Sequence, residues 1–167
     1  MRRVAAAVIS AALLVAGCSS SGSATSPTTS ASASSGGGGR PADAATTDAV
    51  RKAYETFFSN KTSVAQSRAA LQHGELFTAT LREQANSPHG QQSSASVSSV
   101  RLVSPDVADV RFSITSNGIT ALPDARGNAV REDGQWKVAT ATFCQLLKLQ
   151  GSAPKACDDP KITALPS

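Results

Sequence analysis

The stretch Val107-Ala108-Asp109-Val110-Arg111-Phe112-Ser113-Ile114-Thr115 decides the fold. Ala108, Val110, Phe112 and Ile114 alternate with Asp109, Arg111, Ser113 and Thr115, and a period of two puts the apolar set on one face of a strand and the polar set on the other. Such a strand lies in an antiparallel sheet with one covered face and one wet face. Next comes Asn117-Gly118, a pair suited to the positive φ angles of a two-residue hairpin turn. A further strand is expected within residues 119–131, loosened by Pro123 and Gly127. Asp133-Gly134 makes a second tight turn, and Trp136 and Val138 lead a fourth strand. The chain then passes into a short amphipathic helix with Phe143, Leu146 and Leu147 on one side.

Reading back from Val107, residues 94–103 form another expected strand, with a phase slip at Ser98-Ser99 that predicts a bulge. Before Pro88 and Gly90 the period changes to 3.6. One helix is expected to begin near Glu75 and to end before Ser87-Pro88, with Phe77 and Leu81 as an i, i+4 apolar pair. Another covers residues 64–72 and closes at Gly74 as its C′ residue. The first helix has Thr47 as N-cap and Asp48 in its opening turn, and Asn60 stops it. Val50, Ala53, Tyr54 and Phe57 form its apolar stripe, while Arg51, Lys52 and Glu55 face outward. Helices first and a meander afterwards make an α+β domain. Its expected form is a cone, with the helices packed on a curved antiparallel sheet of about four strands around an apolar interior.

The same residues carry a family resemblance. Asn60-Lys61 follows the first helix, and Gly74 closes the next. Ala108-Asp109-Val110 opens a strand, and Gly134-Gln135-Trp136-Lys137-Val138 precedes a helix containing Leu146-Leu147. In these features the chain resembles the mycobacterial low-molecular-weight secreted antigens and related actinobacterial lipoproteins. The resemblance covers nearly all of the folded part. It implies the cone-shaped fold of the nuclear-transport-factor-2-like superfamily and no assigned enzymatic activity.

The chain of 167 residues does not fold throughout. Met1-Arg2-Arg3 is a short basic start. Residues 4–16 are an uncharged, largely apolar run, shorter than the roughly 20 residues of a spanning helix. The run ends Leu14-Val15-Ala16-Gly17-Cys18, which resembles the lipobox of bacterial lipoproteins. Residues 1–17 are thus expected to be a cleaved signal peptide and Cys18 the lipidated residue, since two or three acyl chains hold a protein stably where one does not. Residues 18–45 form a lipidated flexible linker of Ser, Gly, Ala, Thr and Pro that includes Gly36-Gly37-Gly38-Gly39. At about 5–6 Å times the square root of its length, the linker spans roughly 30 Å. Residues 46–151 are the cone-shaped domain, and residues 152–167 a tail that frays beyond Pro160. The expected location is the extracytoplasmic side of the cell membrane.

Two cysteines remain beside Cys18. Parity and an oxidising compartment favour a Cys144–Cys157 disulfide over two free thiols or a metal pair. Such a bridge ties the tail to the last helix.

The formal charge of +4 includes Arg2 and Arg3, so the mature chain keeps +2 (4 − 2). With 17% charged and 40% apolar residues, and no basic run interleaved with aromatics, the composition suits a globular domain and argues against nucleic-acid binding. No catalytic set emerges. Tyr54 has the inward phase and could donate to an oxyanion, but no acid or base shares that face. Asp109 is in the outward phase, and Asp106, Asp124 and Asp133 fall at turns. His73 and His89 have no spacing to a carboxylate or thiol that makes a metal site. Neither metal nor cofactor is expected.

The leading functional expectation is a non-enzymatic cell-envelope binding or interaction module. Tyr54, Phe57, Phe77, Leu81, Phe112, Ile114 and Trp136 are the candidate pocket walls, with plain core packing as the competing role of each. The expected partners are the membrane through the lipid, an envelope lipid or protein, and a second copy through the outer sheet face around Asp109, Arg111 and Ser113. The alternatives are an isomerase- or dehydratase-like enzyme of the cone fold and a structural accessory lipoprotein.

Overall fold

The computed structural model describes residues 39–87 and 92–166. The expected signal peptide, Cys18, the linker up to residue 38, and His89 lie outside the described residues.

The strand at the centre is β3, Val107–Ser116, which pairs with a strand on each side. The sheet runs β1 (Arg40–Pro41), β2 (Ser93–Ser104), β3, β4 (Ile119–Glu132) and β5 (Gln135–Val138), in that order and antiparallel throughout. The α+β class and the meander are as expected, with five strands in place of four. The addition is β1, which pairs Arg40 with Leu102 and Pro41 with Arg101. It falls within a stretch whose composition reads as linker. Its attachment is made through backbone and through the Arg101 guanidinium, which donates to the Gly39 carbonyl.

Phase is kept by local devices. Val97 and Val100 are three apart, so a regular strand would turn them to opposite faces. The register shifts between Val97 and Ser99, and both valines serve the core side. The Ser98 hydroxyl donates to the Arg111 carbonyl across this bulge, 3.2 Å away. On the other side of β3, the register shifts around Pro123 and Asp124, whose φ is 43°. Asp124 therefore sits at a bulge inside β4, rather than at a turn as its residue type suggests. Its carboxylate pairs with Arg111 at 2.6 Å. Both hairpin turns have two consecutive positive φ angles, 53° and 75° at Asn117-Gly118 and 53° and 76° at Asp133-Gly134.

All the helices that contribute to the core do so from one side of the sheet. α1, Ala44–Phe58, buries Val50, Ala53, Tyr54 and Phe57. It begins earlier than expected. Its N-cap is Asp43, not Thr47, because the Asp43 carboxylate accepts from the Thr46 backbone N–H at 2.8 Å and from the Thr46 hydroxyl at 3.1 Å. Those two bonds hold the carboxyl below its ordinary range. The helix ends at Phe58, before Asn60. α2, Val64–Ala69, starts at a Ser63/Gln66 capping box and is shorter than expected. The left-handed residue after it is His73, with φ 52°, and not Gly74. Gly74 is needed for another reason. A Cβ there would lie 2.1 Å from the Arg68 carbonyl oxygen. A 3-10 turn, Gly74–Phe77, leads into α3, Thr78–Asn86, and Phe77 and Leu81 are buried as expected. The chain after α2 also protects the β5 edge. The Gln72 N–H donates to the Val138 carbonyl at 3.0 Å, and the Val138 N–H to the Ala70 carbonyl at 2.8 Å.

α4, Thr140–Leu149, follows β5 and buries Phe143, Cys144 and Leu147. The Cys144–Cys157 disulfide, with Cα atoms 5.3 Å apart, fixes the tail against it. The tail is more ordered than expected. A 3-10 turn covers Lys155–Asp158, and α5, Pro160–Thr163, is capped by the Asp159 side chain, which accepts from the Lys161 N–H.

α1 and α4 meet β4 at Gly127. A Cβ at Gly127 would sit 2.5 Å from Thr142 Cγ2 and 2.9 Å from the Tyr54 hydroxyl. The missing side chain lets Tyr54 donate to the Asn128 carbonyl at 2.9 Å and lets Thr142 Oγ1 accept from the Asn128 N–H at 2.7 Å. Gly127→Ala is expected to destabilise the domain by about 1–3 kcal/mol through overpacking, read as a lower urea midpoint with unchanged slope.

Candidate functional site

A cavity of about 790 Å³ opens where α1, α2, α3 and α4 stand over β3 and the start of β4. That volume is in the range of small-molecule sites, about 300–1,000 Å³. The floor is apolar and buried: Phe57 from α1, Leu81 from α3, and Phe143 and Leu147 from α4. The side walls are half-buried or exposed apolar groups, namely Phe58, Val64, Ala85, Ile114, Ala121 and Leu146. The remaining ten lining residues are Ser59, Asn60, Thr62, Ser67, Gln84, Ser87, Ser93, Ser116, Gln150 and Ser152. Every one of these is half-buried or exposed. Polarity thus rises from floor to mouth, and among the described residues the lining contains no charged side chain.

Local sequence explains how the walls stand. On α1, Phe57 and Phe58 are successive residues at the helix end, and both reach the cavity, Phe57 as buried floor and Phe58 as half-buried wall. Phe57 meets Phe143 edge-on at 5.2 Å between centroids, and Phe58 stacks on Phe112 at 5.8 Å. Phe143, Leu146, Leu147 and Gln150 recur at i, i+3, i+4 and i+7 and line one side of α4. At the mouth, the Gln84 side-chain amide donates to the Gln150 side-chain oxygen at 3.2 Å and joins α3 to α4. Ser93 donates to the Phe58 carbonyl at 2.9 Å and ties β2 to the end of α1.

Of the seven expected wall residues, the structure brings Phe57, Leu81 and Ile114 to the cavity. Tyr54, Phe77 and Phe112 are fully buried core instead. The Tyr54 and Phe112 rings lie 5.0 Å apart, which closes the interior behind the cavity. Trp136 is half-buried on β5 opposite Arg131, away from the lining. The lining residues that were not expected from the sequence are Phe58, Val64, Ala85, Ala121, the α4 trio Phe143, Leu146 and Leu147, and the neutral polar mouth. The α4 trio had a visible signal, its amphipathic spacing.

Tyr54, on the inward face of α1, is the candidate proton donor. Its hydroxyl faces the Asn128 backbone carbonyl. Burial pushes its pKa well above the ordinary tyrosine value, with the Thr142 hydroxyl acting in the opposite sense and the charge of Asp109 adding to the rise. The hydroxyl therefore stays neutral and serves the α1–β4 junction. Asp109, in the outward phase, accepts from the Asn128 side-chain amide at 2.9 Å. On the same outer face Arg111 pairs with Asp124, and the Ser113 hydroxyl accepts from the Asp124 N–H at 3.2 Å. Among the described residues no three His, Cys, Asp or Glu side chains come together, and no helix is long and apolar enough to cross a membrane.

The fold and the cavity define the class: an antiparallel α+β domain, compatible with helices on a curved sheet, whose helical side carries a neutral open pocket. The sequence model of the low molecular weight antigen MTB12 C-terminal domain matches residues 43–154. The chain belongs to that antigen family, as its strand and helix landmarks led us to expect. No curated protein matches it.

Proposed function

We propose that this antigen-family chain is a lipid-anchored protein of the cell envelope whose domain works as a non-enzymatic binding module for a small apolar ligand, such as an envelope lipid. The observation that carries the binding half is the cavity of about 790 Å³ with its buried apolar floor. Filling such a floor removes apolar area from water at about 25 cal/mol per Å². A non-enzymatic role is supported by the wall chemistry. Proton transfer needs a titratable group within hydrogen-bonding reach of the substrate, and the described lining offers hydroxyls and carboxamides only. The anchoring half rests on Arg2-Arg3, the apolar run and Leu14-Val15-Ala16-Gly17-Cys18.

Native mass spectrometry of the protein extracted from its own membrane tests both halves. The expected result is a chain starting at acylated Cys18 and carrying a co-purifying apolar ligand. Ala121 is exposed and lines the cavity, so Ala121→Trp fills the space without disturbing the core. This variant is expected to lose the ligand and to bind a solvatochromic apolar probe at least tenfold more weakly, with its melting temperature little changed. Equal probe binding by both proteins refutes the cavity, and an unacylated amino terminus refutes the anchor.

A further inference from the structure

The cavity has a direction, and its direction specifies a ligand. The four lining residues that are buried, Phe57, Leu81, Phe143 and Leu147, are all apolar. The ten polar residues all stand nearer solvent, and all are neutral. We infer that the site takes an uncharged amphiphile, with one hydrocarbon tail on the floor and a hydroxyl- or amide-bearing head at the mouth, and that it discriminates against amphiphiles of the same length with a charged head. This rests on the binding role proposed above and narrows it.

The physical reason is the pairing of head groups. A hydroxyl-rich head finds donors and acceptors at Thr62, Ser67 and Ser152. It also finds the Gln84–Gln150 pair, whose mutual bond engages one amide hydrogen and one oxygen and leaves further capacity on both side chains. Each neutral bond made there contributes modestly, and a donor left without a partner at a half-buried site is costly. A carboxylate or ammonium head entering the same mouth gives up part of its hydration without meeting an opposite charge, and desolvating an unpaired ion costs more than desolvating a neutral polar group. The neighbouring charges do not supply the missing partner. Lys61, Arg68, Arg82 and Glu83 adjoin lining positions but are exposed and do not themselves line the cavity, and Lys148 is paired with Asp158 at 3.4 Å.

The test compares three twelve-carbon amphiphiles below their micellar concentrations: a monoacylglycerol, a fatty-acid anion and an alkylammonium. Each displaces the solvatochromic probe from the delipidated, disulfide-intact protein. The expected result is that the monoacylglycerol competes at least tenfold more strongly than either ion. Gln150→Lys places a cation on the exposed rim and is expected to shift the ratio of anion to neutral binding at least fivefold toward the anion. Competition by either ion within threefold of the neutral ligand overturns the inference, as does an unchanged ratio in Gln150→Lys. If the probe binds and no amphiphile displaces it, the inference fails while the cavity stands. If the probe itself does not bind, the binding role fails first.

Discussion

Phe112→Ala is expected to remove about 3–5 kcal/mol of stability and to leave the domain largely unfolded or aggregating on expression. Phe112 is fully buried and has no route to relieve a void. Its ring lies 5.0 Å from Tyr54 and 5.8 Å from Phe58, so it closes the sheet against α1 at the centre of the core. Deleting it costs the transfer energy of the ring and the energy of the cavity left behind. A domain of this size has about 5–15 kcal/mol in total. The informative control is Ile114→Ala, two residues along the same face of β3. Ile114 is half-buried and lines the cavity, so it is packed on one side only. Its truncation is expected to cost about 1 kcal/mol. Urea titration of both variants reads the contrast. Equal losses would mean that the cavity is closed by packing in solution.

That contrast also explains what could be read from the chain and what could not. The strand at Val107–Ser116, both glycine-containing hairpins and the slip at Ser98-Ser99 are encoded within a few residues each. The alternation of Ala108, Val110, Phe112 and Ile114 has one physical meaning in any fold. The stripe Val50, Ala53, Tyr54 and Phe57 was legible for the same reason. Interior and pocket, however, use the same apolar residues. Phe112 and Ile114 are indistinguishable by periodicity. They separate only because Tyr54 and Phe58 reach the first, while α3 and α4 stand clear of the second. Trp136 illustrates the converse, since size and apolarity put it among the wall candidates and register put it elsewhere. The rim was illegible because Ser59, Asn60, Ser87 and Ser152 look like ordinary loop residues.

Short elements escaped for a different reason. β1 has two residues, too few for a period, and it follows a glycine run that reads as linker. Its pairing depends on the exposed edge of β2 and on Arg101, neither of which is local to it. The start of α1 was misplaced because Asp43 and Thr47 both have capping side chains, and the choice between them follows from where the chain leaves the sheet. His73 took the left-handed position because Gly74 was already committed to close contact with the Arg68 carbonyl.

The Cys144–Cys157 bond is expected to be the other large single contributor. The Cys144→Ala/Cys157→Ala double variant should lose about 3 kcal/mol, within the 2–5 kcal/mol typical of small exported domains. For a domain of this length that lowers the melting temperature by roughly 10 °C. The bond joins residues 13 apart, so it removes loop-closure entropy from the unfolded chain. It also acts on the cavity. Cys144 is a buried residue of α4 and Cys157 is a buried residue of the tail, and Phe143, Leu146 and Leu147 of α4 form one wall with its C-cap Gln150. Without the bond, α4 and the tail keep the Lys148 ammonium, which lies 3.4 Å from both the Cys157 carbonyl and the Asp158 carboxylate, and the packing of half-buried Ala156 and Ile162 against the core. An exposed ion pair of that kind contributes less than about 1 kcal/mol. The double variant is therefore expected to bind the apolar probe several-fold more weakly at a temperature where it is still folded, whereas Gly127→Ala, which crowds Tyr54 and Thr142, neither of which lines the cavity, should lose stability with its probe affinity retained. A double variant that melts with the wild type, or that loses stability without losing probe affinity, would show that the tail holds α4 without the sulfur bridge.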